Sequence, residues 1–387
     1  MMNNRNAYIE IIILILASFS PLLSQPIKAA LVLILLIINY KYFLKFRKNK
    51  IIILGIFIAI FTLSLTLDLR NVSSLSQIHI LNLYFPMCIL LGYVISEKYT
   101  LNRFCYLLDK IIIVLAVFSL IGVFIYTFIP NIVTYLPSYN NYHTTHRTAY
   151  IFNVLTNGPN GILKRNAGIA WEPGAFQFIA NLGLYAYLKT NKKISLFKIG
   201  IYSLVVITTK STAGILIFLA ITFKLFIEDK KARVLILSSV LIFGGLILEE
   251  LIYQYRYKLF GSYAFEIRLQ PLLNAFNEGR NHFFGMGNSG FDIYYRNVTT
   301  PPWDSFGQIF IRYGYPLFIF INFRLLRLIK NQKVLFIIIV ITLSSQNIWF
   351  FPLLTPFYFS FTENKIGELD FKNPNCQIKL DKKSHLC

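Results

Sequence analysis

Arg165 and Glu172 sit in R-N-A-G-I-A-W-E-P-G, residues 165–174, and their order describes a place for charge chemistry. Pro173 suits the first turn of a helix, where a backbone N–H is not needed. Glu172 then falls at the helix start, where the peptide dipoles favour a carboxylate. Arg165, in the incoming loop, is expected to fold back toward the same mouth. The pattern reads as a cation and a carboxylate at the entrance of a cavity, with a capped helix and a surface ion pair as the plainer alternative. Lys210, in T-T-K-S-T-A-G at 208–214, is the second such place. It separates the apolar runs 194–209 and 211–223. If these form a hairpin whose tip stops short of the surface, the lysine lies at depth, where ionisable groups generally face a cavity. Snorkelling to headgroups is the alternative.

The elements around these residues are those of a membrane protein. Of the 387 residues, 56% are hydrophobic, 16% aromatic and only 14% charged, against about a quarter charged in a soluble domain. A spanning helix needs roughly 20 mostly apolar residues. Runs of that kind cover 8–24, 27–44, 51–67, 78–96, 110–129, 172–188, 233–252 and 306–328. The stretches 194–227 and 334–362 have the length of tight hairpins of short helices. The expectation is one all-α polytopic domain, residues 1–387, with about twelve transmembrane helices. Val334–Leu343 and Ile348–Phe361 are each short for a span, so one long tilted helix over 334–362, and eleven spans in all, stays open.

Lysine and arginine set the orientation. With the N-terminus inside, 26 of the 38 basic residues fall at cytoplasmic ends near 1–7, 41–50, 97–110, 189–198, 224–233, 324–333 and in a tail at 363–387. This is the positive-inside bias. The +21 net charge is therefore a topology signal with added attraction to anionic lipid, and no nucleic-acid module is present. The first apolar segment reads as an uncleaved signal anchor. Cys88, Cys105, Cys376 and Cys387 lie in a span or on the cytoplasmic side, so no disulfide framework is expected. No zinc spacing, P-loop or dinucleotide fingerprint occurs, and no cofactor or metal is expected.

Two connections are long, about 130–171 and 253–305, and both fall outside, on the periplasmic face. The first carries Tyr135, Tyr139, Tyr142, His143, His146, Tyr150 and Trp171; the second carries Tyr253, Tyr255, Tyr257, Tyr263, His282, Tyr294, Tyr295 and Trp303. Aromatic faces pack on sugar rings, and they also form interfacial belts. Eight of the twelve outside cations are arginine (Arg70, Arg147, Arg165, Arg256, Arg268, Arg280, Arg296 and Arg312), whereas the inside set is 20 lysines and six arginines. The guanidinium fork grips carboxylate and phosphate. Pairing with Glu172, Glu266, Glu278, Asp292 or Asp304 is the alternative.

Four places carry a resemblance to the O-antigen polymerase (Wzy-type) family, within the wider O-antigen ligase superfamily, over about 110–330. R-x-x-G-x-x-x-E-P-G at 165–174 resembles its arginine–glycine–Glu-Pro signature. T-K-S-T-A-G at 209–214 resembles its small-residue hairpin. Arg268 followed by G-M-G at 285–287 is similar to its arginine with a glycine pair. W-D-S-F-G-Q-I-F-I-R-Y-G at 303–314 resembles its re-entry segment. An arginine–ten residues–glycine pattern also appears, from Arg147 to Gly158, Arg268 to Gly279 and Arg296 to Gly307. Ligases typically carry histidine then asparagine at the start of the re-entry segment. Asp304 and Ser305 stand there instead, which suits a polymerase, while His282 keeps a ligase in view.

The resemblance implies an inner-membrane glycosyltransferase, with both termini cytoplasmic, that joins undecaprenyl-pyrophosphate-linked oligosaccharide repeats. It implies membrane lipid, a chain-length regulator and a flippase of the same pathway as partners. Arginines would stabilise the leaving pyrophosphate without a metal: Arg165 and Arg268 first, then Arg280, Lys210 and Arg147. Glu172, then Asp304, then His282 would accept the proton of the attacking hydroxyl. A non-enzymatic flippase for lipid-linked oligosaccharides is the main rival from another class. It should show charge buried in many spans, whereas these spans read as nearly free of charge. A solute transporter should show broken helices or matching halves.

Overall fold

The apolar runs fold into a helical bundle whose ends are sorted by charge. The computed structural model describes residues 4–45, 47–71, 80–141, 144–149, 152–157, 165–191, 194–228, 270–297, 302 and 304–361. In chain order the helices are α1 (Asn4–Phe19), α2 (Gln25–Ile38), the short α3 (Tyr40–Phe43), α4 (Lys48–Asn71), α5 (Leu81–Lys98), α6 (Leu101–Phe128) and the single turn α7 (Pro130–Thr134). After four strands come α8 (Pro173–Thr190), α9 (Leu196–Thr209), α10 (Thr212–Glu228), α11 (Gln270–Asn281), α12 (Gly287–Asn297), α13 (Ser305–Asn331) and α14 (Lys333–Leu343). Among the described residues three helices are long and apolar enough to cross a membrane: Lys48–Arg70, Leu101–Phe128 and Ser305–Asn331. Shorter apolar helices of 11 to 17 residues, including α2, α9, α10 and α14, stand beside them. Large apolar side chains such as Leu83, Phe128 and Phe197 face outward, as expected where lipid rather than water is the neighbour. The 233–252 run and the 363–387 tail lie outside the described residues.

Aromatic side chains hold the middle of the bundle together. Phe85 of α5 and Tyr313 of α13 both meet Trp349, Phe85 also meets Phe350, and Phe61 of α4 meets Tyr313, with ring centroids 4.0–6.2 Å apart and mostly tilted or edge-on. Those are the separations at which ring quadrupoles attract. Trp349 and Phe350 belong to a segment that departs from the expected helix. Neither a helical hairpin nor one long helix covers 334–362. After α14 the chain returns through 344–361 as consecutive turns and one 3₁₀ turn, Thr355–Tyr358.

Non-helical backbone is tolerated at membrane depth where protein covers it and its polar groups are met. Ile348, Trp349, Leu353, Leu354 and Tyr358 are fully buried. The Ile348 and Leu353 amides donate to Ser305 Oγ (2.9 Å) and Ser18 Oγ (3.0 Å). Thr355 Oγ1 donates to the Cys88 carbonyl (2.8 Å), and Arg324 Nε donates to the Tyr358 carbonyl (2.7 Å). Aromatic bulk and Pro352 and Pro356 set this strap against a helix, and contacts from three other elements, α1, α5 and α13, hold it in place of a ladder.

Charge is also less absent from the bundle than composition implies. Three acidic residues are buried at the lysine-rich end, each on a cation: Glu10 on Lys98 (2.5 Å), Glu97 on Lys50 (2.7 Å) and Asp109 on Lys198 (3.0 Å). Their burial is balanced pair by pair, which makes them ties between helices. Cys88 and Cys105 are buried thiols, and Cys376 and Cys387 lie outside the described residues.

The first long loop adds a feature absent from the all-α expectation. Ser138–Asn141, Thr144–Thr148, Asn153–Asn157 and Arg165–Gly168 (β1–β4) form an antiparallel meander in sequence order. Tyr139 pairs with His146 in register, and their rings stack at 4.8 Å. In the second long loop, α11 and α12 dock on a break in α13. Gly314, at φ 68° and ψ −163°, interrupts the helix, and Pro316 supplies no N–H to restore it. The break frees the Ile311 carbonyl for the Met286 amide (2.7 Å) and the Tyr315 amide for the Phe283 carbonyl (3.0 Å). Loop 2 is thereby joined to the bundle by backbone.

The Gly314 conformation is essentially reserved for glycine and costs another residue about 1–3 kcal/mol. A Cβ there would also collide with the Phe283 carbonyl. Gly314→Ala should therefore lower the thermal midpoint of the detergent-solubilised protein by several degrees; an unchanged midpoint would show that the break relaxes without strain.

Candidate functional site

The motif at 165–174 works from its fixed end to its chemical end. Arg165 opens β4 and donates from Nε to the Thr209 carbonyl (2.9 Å) and from an Nη to the Lys210 carbonyl (3.2 Å). These are carbonyls at the C-terminal end of α9, so the guanidinium lies where a helix favours a cation. Asn166 reaches Ser119 Oγ of α6 (3.2 Å) and Thr208 Oγ1 of α9 (3.1 Å). The chain is clamped there and leads through buried Ile169 and Ala170 to Trp171 and Glu172. Glu172 is the N-cap position of α8 with Pro173 in the first turn, as the residue order predicts, and it makes no capping hydrogen bond.

Glu172 instead lines a cavity of about 970 Å³ at the bundle end opposite the lysine-rich connections. Trp171, Tyr139, Tyr295 and Phe351 supply aromatic surface to it. Asp304, Asp292, Arg296, Arg312 and Lys28 supply charge. Trp171 is itself held, stacked on Phe19 at 5.9 Å and edge-on to Phe351 at 5.1 Å. Tyr139 Oη and Asn347 Oδ1, on residues that line the same cavity, are buried and meet no hydrogen-bond partner among the described residues. Buried polar atoms are nearly always paired, so such a wall suits a hydroxyl-bearing ligand.

Asp304 and Arg312 come from one stretch of α13. Asp304 caps the helix, its Oδ1 accepting the Gly307 amide at 2.8 Å. Burial pushes its carboxyl up from the usual range, and the amides of Gly307, its own residue and Phe306 oppose that rise. Arg312 is 6% exposed. Its guanidinium carbon lies 3.8 Å from the Phe291 ring centre, its Nη1 donates to Asn288 Oδ1 (2.5 Å) and its Nε donates to Gln308 Oε1 (3.3 Å). In the sequence this is one of eight outside arginines, with no individual role. The signal that singles it out is the spacing of Asp304, Gln308 and Arg312 by four, which places all three on one helix face.

The other expected site residues are dispersed. Lys210 sits between α9 and α10 in the left-handed conformation (φ 48°), half-buried, and joins the hairpin anticipated there. It is not among the residues lining the cavity. Arg147 of β2 donates to the Leu136 carbonyl (2.9 Å). Arg280 and His282 are exposed at the end of α11, away from the lining. Arg268 lies outside the described residues. Of the expected site, the structure brings together Glu172 and Asp304, and it adds Arg312, Lys28, Asp292 and Arg296 to them.

Two outcomes follow. Hydrogen bonds made by a charged group contribute about 1.5–3 kcal/mol, so Arg165→Ala should lower thermal stability by that order, measured by unfolding in detergent. Burial holds His146 down at about 4. Because the folded state keeps this base neutral, its contribution to stability is full above pH 6.5 and falls as pH drops from 6.5 toward 4. Hydrogen exchange of the β2 and β3 amides should accelerate through that window, and His146→Gln should flatten the dependence.

Comparison of the chain with protein-family models, with curated proteins and with solved structures finds no match.

Proposed function

We propose that the protein is a surface-polysaccharide polymerase that joins undecaprenyl-pyrophosphate-linked oligosaccharide repeats at the periplasmic face of the inner membrane. The observation that carries this reading is the single cavity holding Glu172 and Asp304 together with Arg312, Arg296 and Lys28 between aromatic walls. In the proposed orientation both termini are cytoplasmic and the cavity faces outward. This reading assigns twelve crossings, one of them to the strap 344–361 and one to the apolar run 233–252, which lies outside the described residues.

Glycosyl transfer from such a donor has two electrical requirements. The C1–O bond to pyrophosphate breaks, and its electron pair leaves with the phosphate. The acceptor hydroxyl forms the new bond to C1 and gives up its proton. Fixed cations stabilise the leaving charge without reorganising, a role this reading gives to the buried Arg312, with Arg296 and Lys28 of the same lining as secondary groups. Glu172 receives the proton, and Asp304, its acidity weakened by burial, is the second acceptor. Trp171 and Tyr139 offer faces and a hydroxyl to sugar rings.

His282, the residue that kept a ligase in view, is exposed and outside this cavity. The ion pairs that a flippase reading would recruit are buried at the opposite end and locked to each other.

Deleting the gene and complementing it, followed by electrophoresis of surface polysaccharide, tests the reading. The expected deletion phenotype is one repeat capped on its lipid acceptor with the ladder of longer chains lost. Finished polymer accumulating on the carrier lipid would identify a ligase instead, and repeats held on the cytoplasmic side a flippase. In the complemented strain, Glu172→Gln should reduce polymer about a hundredfold or more, the lower range for acid–base groups, at unchanged protein level. A normal ladder from this variant would remove Glu172 from the chemistry.

A further inference from the structure

A line of hydrogen bonds leaves the cavity through Arg312 and ends on a carboxylate that no part of the site description uses. Asp68, near the end of α4, is fully buried. Its Oδ2 accepts from Asn82 Nδ2 of α5 (2.5 Å), and Asn82 Oδ1 accepts from Asn288 Nδ2 of α12 (2.6 Å). Asn288 Oδ1 in turn accepts from Arg312 Nη1 (2.5 Å). The other oxygen of Asp68 accepts the Ser289 amide in the first turn of α12 (2.8 Å). Gly287 permits that approach, since a Cβ on it would collide with Asp68 Oδ1. Four separate elements, α4, α5, α12 and α13, contribute one residue each to the line.

The ends of this line determine its middle. A carboxylate only accepts and a guanidinium only donates. Between them, each amide has one orientation that satisfies both neighbours, with nitrogen toward Asp68 and oxygen toward Arg312. The aligned dipoles carry the negative charge of Asp68 toward the guanidinium without neutralising it by direct contact. Hydrogen bonds in such chains polarise one another. Arg312 thus keeps its charge in a buried position, with its direction set by Asn288 and its plane by the Phe291 ring.

We propose that Asp68 is a positioning residue, which acts through Asn82 and Asn288 to aim Arg312 at an anionic phosphoryl group in the cavity. This rests on the reading of the cavity as a pyrophosphate-using site. A second consequence concerns α12, which brings Phe291, Asp292, Tyr295 and Arg296 to the same cavity. Its first turn is moored to the same carboxylate, so Asp68 governs the placement of two cations, Arg312 directly along the line and Arg296 through the helix.

The test measures binding of undecaprenyl pyrophosphate to the full-length protein in nanodiscs, beside its thermal midpoint. Asp68→Asn leaves one acceptor for two donors, the Asn82 amide and the Ser289 N–H, so either the line or the mooring of α12 is lost. It should weaken binding about tenfold, and Arg312→Ala should weaken it at least as much. Combining the two should cost little more than Arg312→Ala alone, because both act at one point. The exchange Asp68→Asn with Asn82→Asp rebuilds the line, since an aspartate at 82 accepts from both neighbours, and should restore affinity to within about threefold. General destabilisation is not repaired by that exchange. Asn288→Ala cuts the line while leaving Asp68 on Ser289, and it serves if Asp68→Asn fails to fold; it too should weaken binding about tenfold.

Wild-type affinity in Asp68→Asn, an exchange variant no better than the single one, or wild-type affinity in Asn288→Ala would overturn the role of Asp68, with the cavity reading intact as long as Arg312→Ala binds poorly. Wild-type affinity in Arg312→Ala, or no binding by the unaltered protein, would overturn the cavity reading and this inference with it.

Discussion

The break in α13 at Gly314 is the constraint on which the cavity end of the molecule depends. A continuous helix would use the Ile311 carbonyl and the Tyr315 amide internally and would leave loop 2 with nothing but side chains to grip. Because the helix opens there, Met286 and Phe283 bond to it through backbone. That docking fixes where α12 begins. The start of α12 fixes Asn288, and Asn288 meets Arg312 two residues before the break. One glycine conformation thus connects the route of a long loop to the direction of a buried cation. Strain at a position of this kind is maintained only when its surroundings over-determine it, and the paired backbone groups on both sides do so.

Charge is rare enough in this chain that its placement distinguishes two kinds of use. At the lysine-rich end, Glu10, Glu97 and Asp109 each sit against a cation in the bundle wall. Removing one partner there would strand the other in a medium of low polarity, a cost of several kcal/mol. At the opposite end, Glu172, Asp304, Arg312, Arg296 and Lys28 line a shared cavity. The first group resembles mortar between helices. The second brings carboxylates and cations to one surface without burying them as pairs in the bundle wall.

The helical part of the fold was legible because each span is a long apolar run, and the start of α8 was legible because Glu172-Pro173 is a helix-entry pattern. The α9–α10 hairpin showed itself through Lys210 between two apolar runs. The strap 344–361 was not, since its apolar composition is that of a helix, and the contacts that hold it, with Ser18, Cys88, Ser305 and Arg324, come from residues distant in sequence. The meander was hidden for the opposite reason: S-Y-N-N and T-T-H-R-T are polar and lack alternation of apolar residues. For the candidate site, Glu172 was singled out by helix-start chemistry and Asp304 by the resemblance of the segment 303–314. Arg165 was assigned to a ligand because arginine suits anions, and its guanidinium is instead on the last carbonyls of α9, a partner no local spacing reveals. Asp68 and Asn82 gave no signal, because the residue that needs them is more than two hundred positions away.

No single element of the chain carries the site. The first loop brings Tyr139, Trp171 and Glu172, the second brings Phe291 to Arg296, α13 brings Asp304 and Arg312, and the turn after α14 brings Gln346 and Asn347. The two elements that enter the bundle beside each other, α13 and the strap, are joined at the cavity by Ser305, whose amide and hydroxyl both donate to the Gln346 carbonyl (3.1 and 2.5 Å). Gln346 in turn packs so closely on Gly174 that a side chain there would collide with its amide. The glycine of E-P-G therefore adjusts the distance between the helix that presents Glu172 and the helix that presents Asp304. Two carboxylates on separate helices keep a fixed separation only if something sets it, and here a glycine, a glutamine and a serine do. Weak sequence patches far apart in the chain thus meet at one cavity, and each supplies a spacing that the others need.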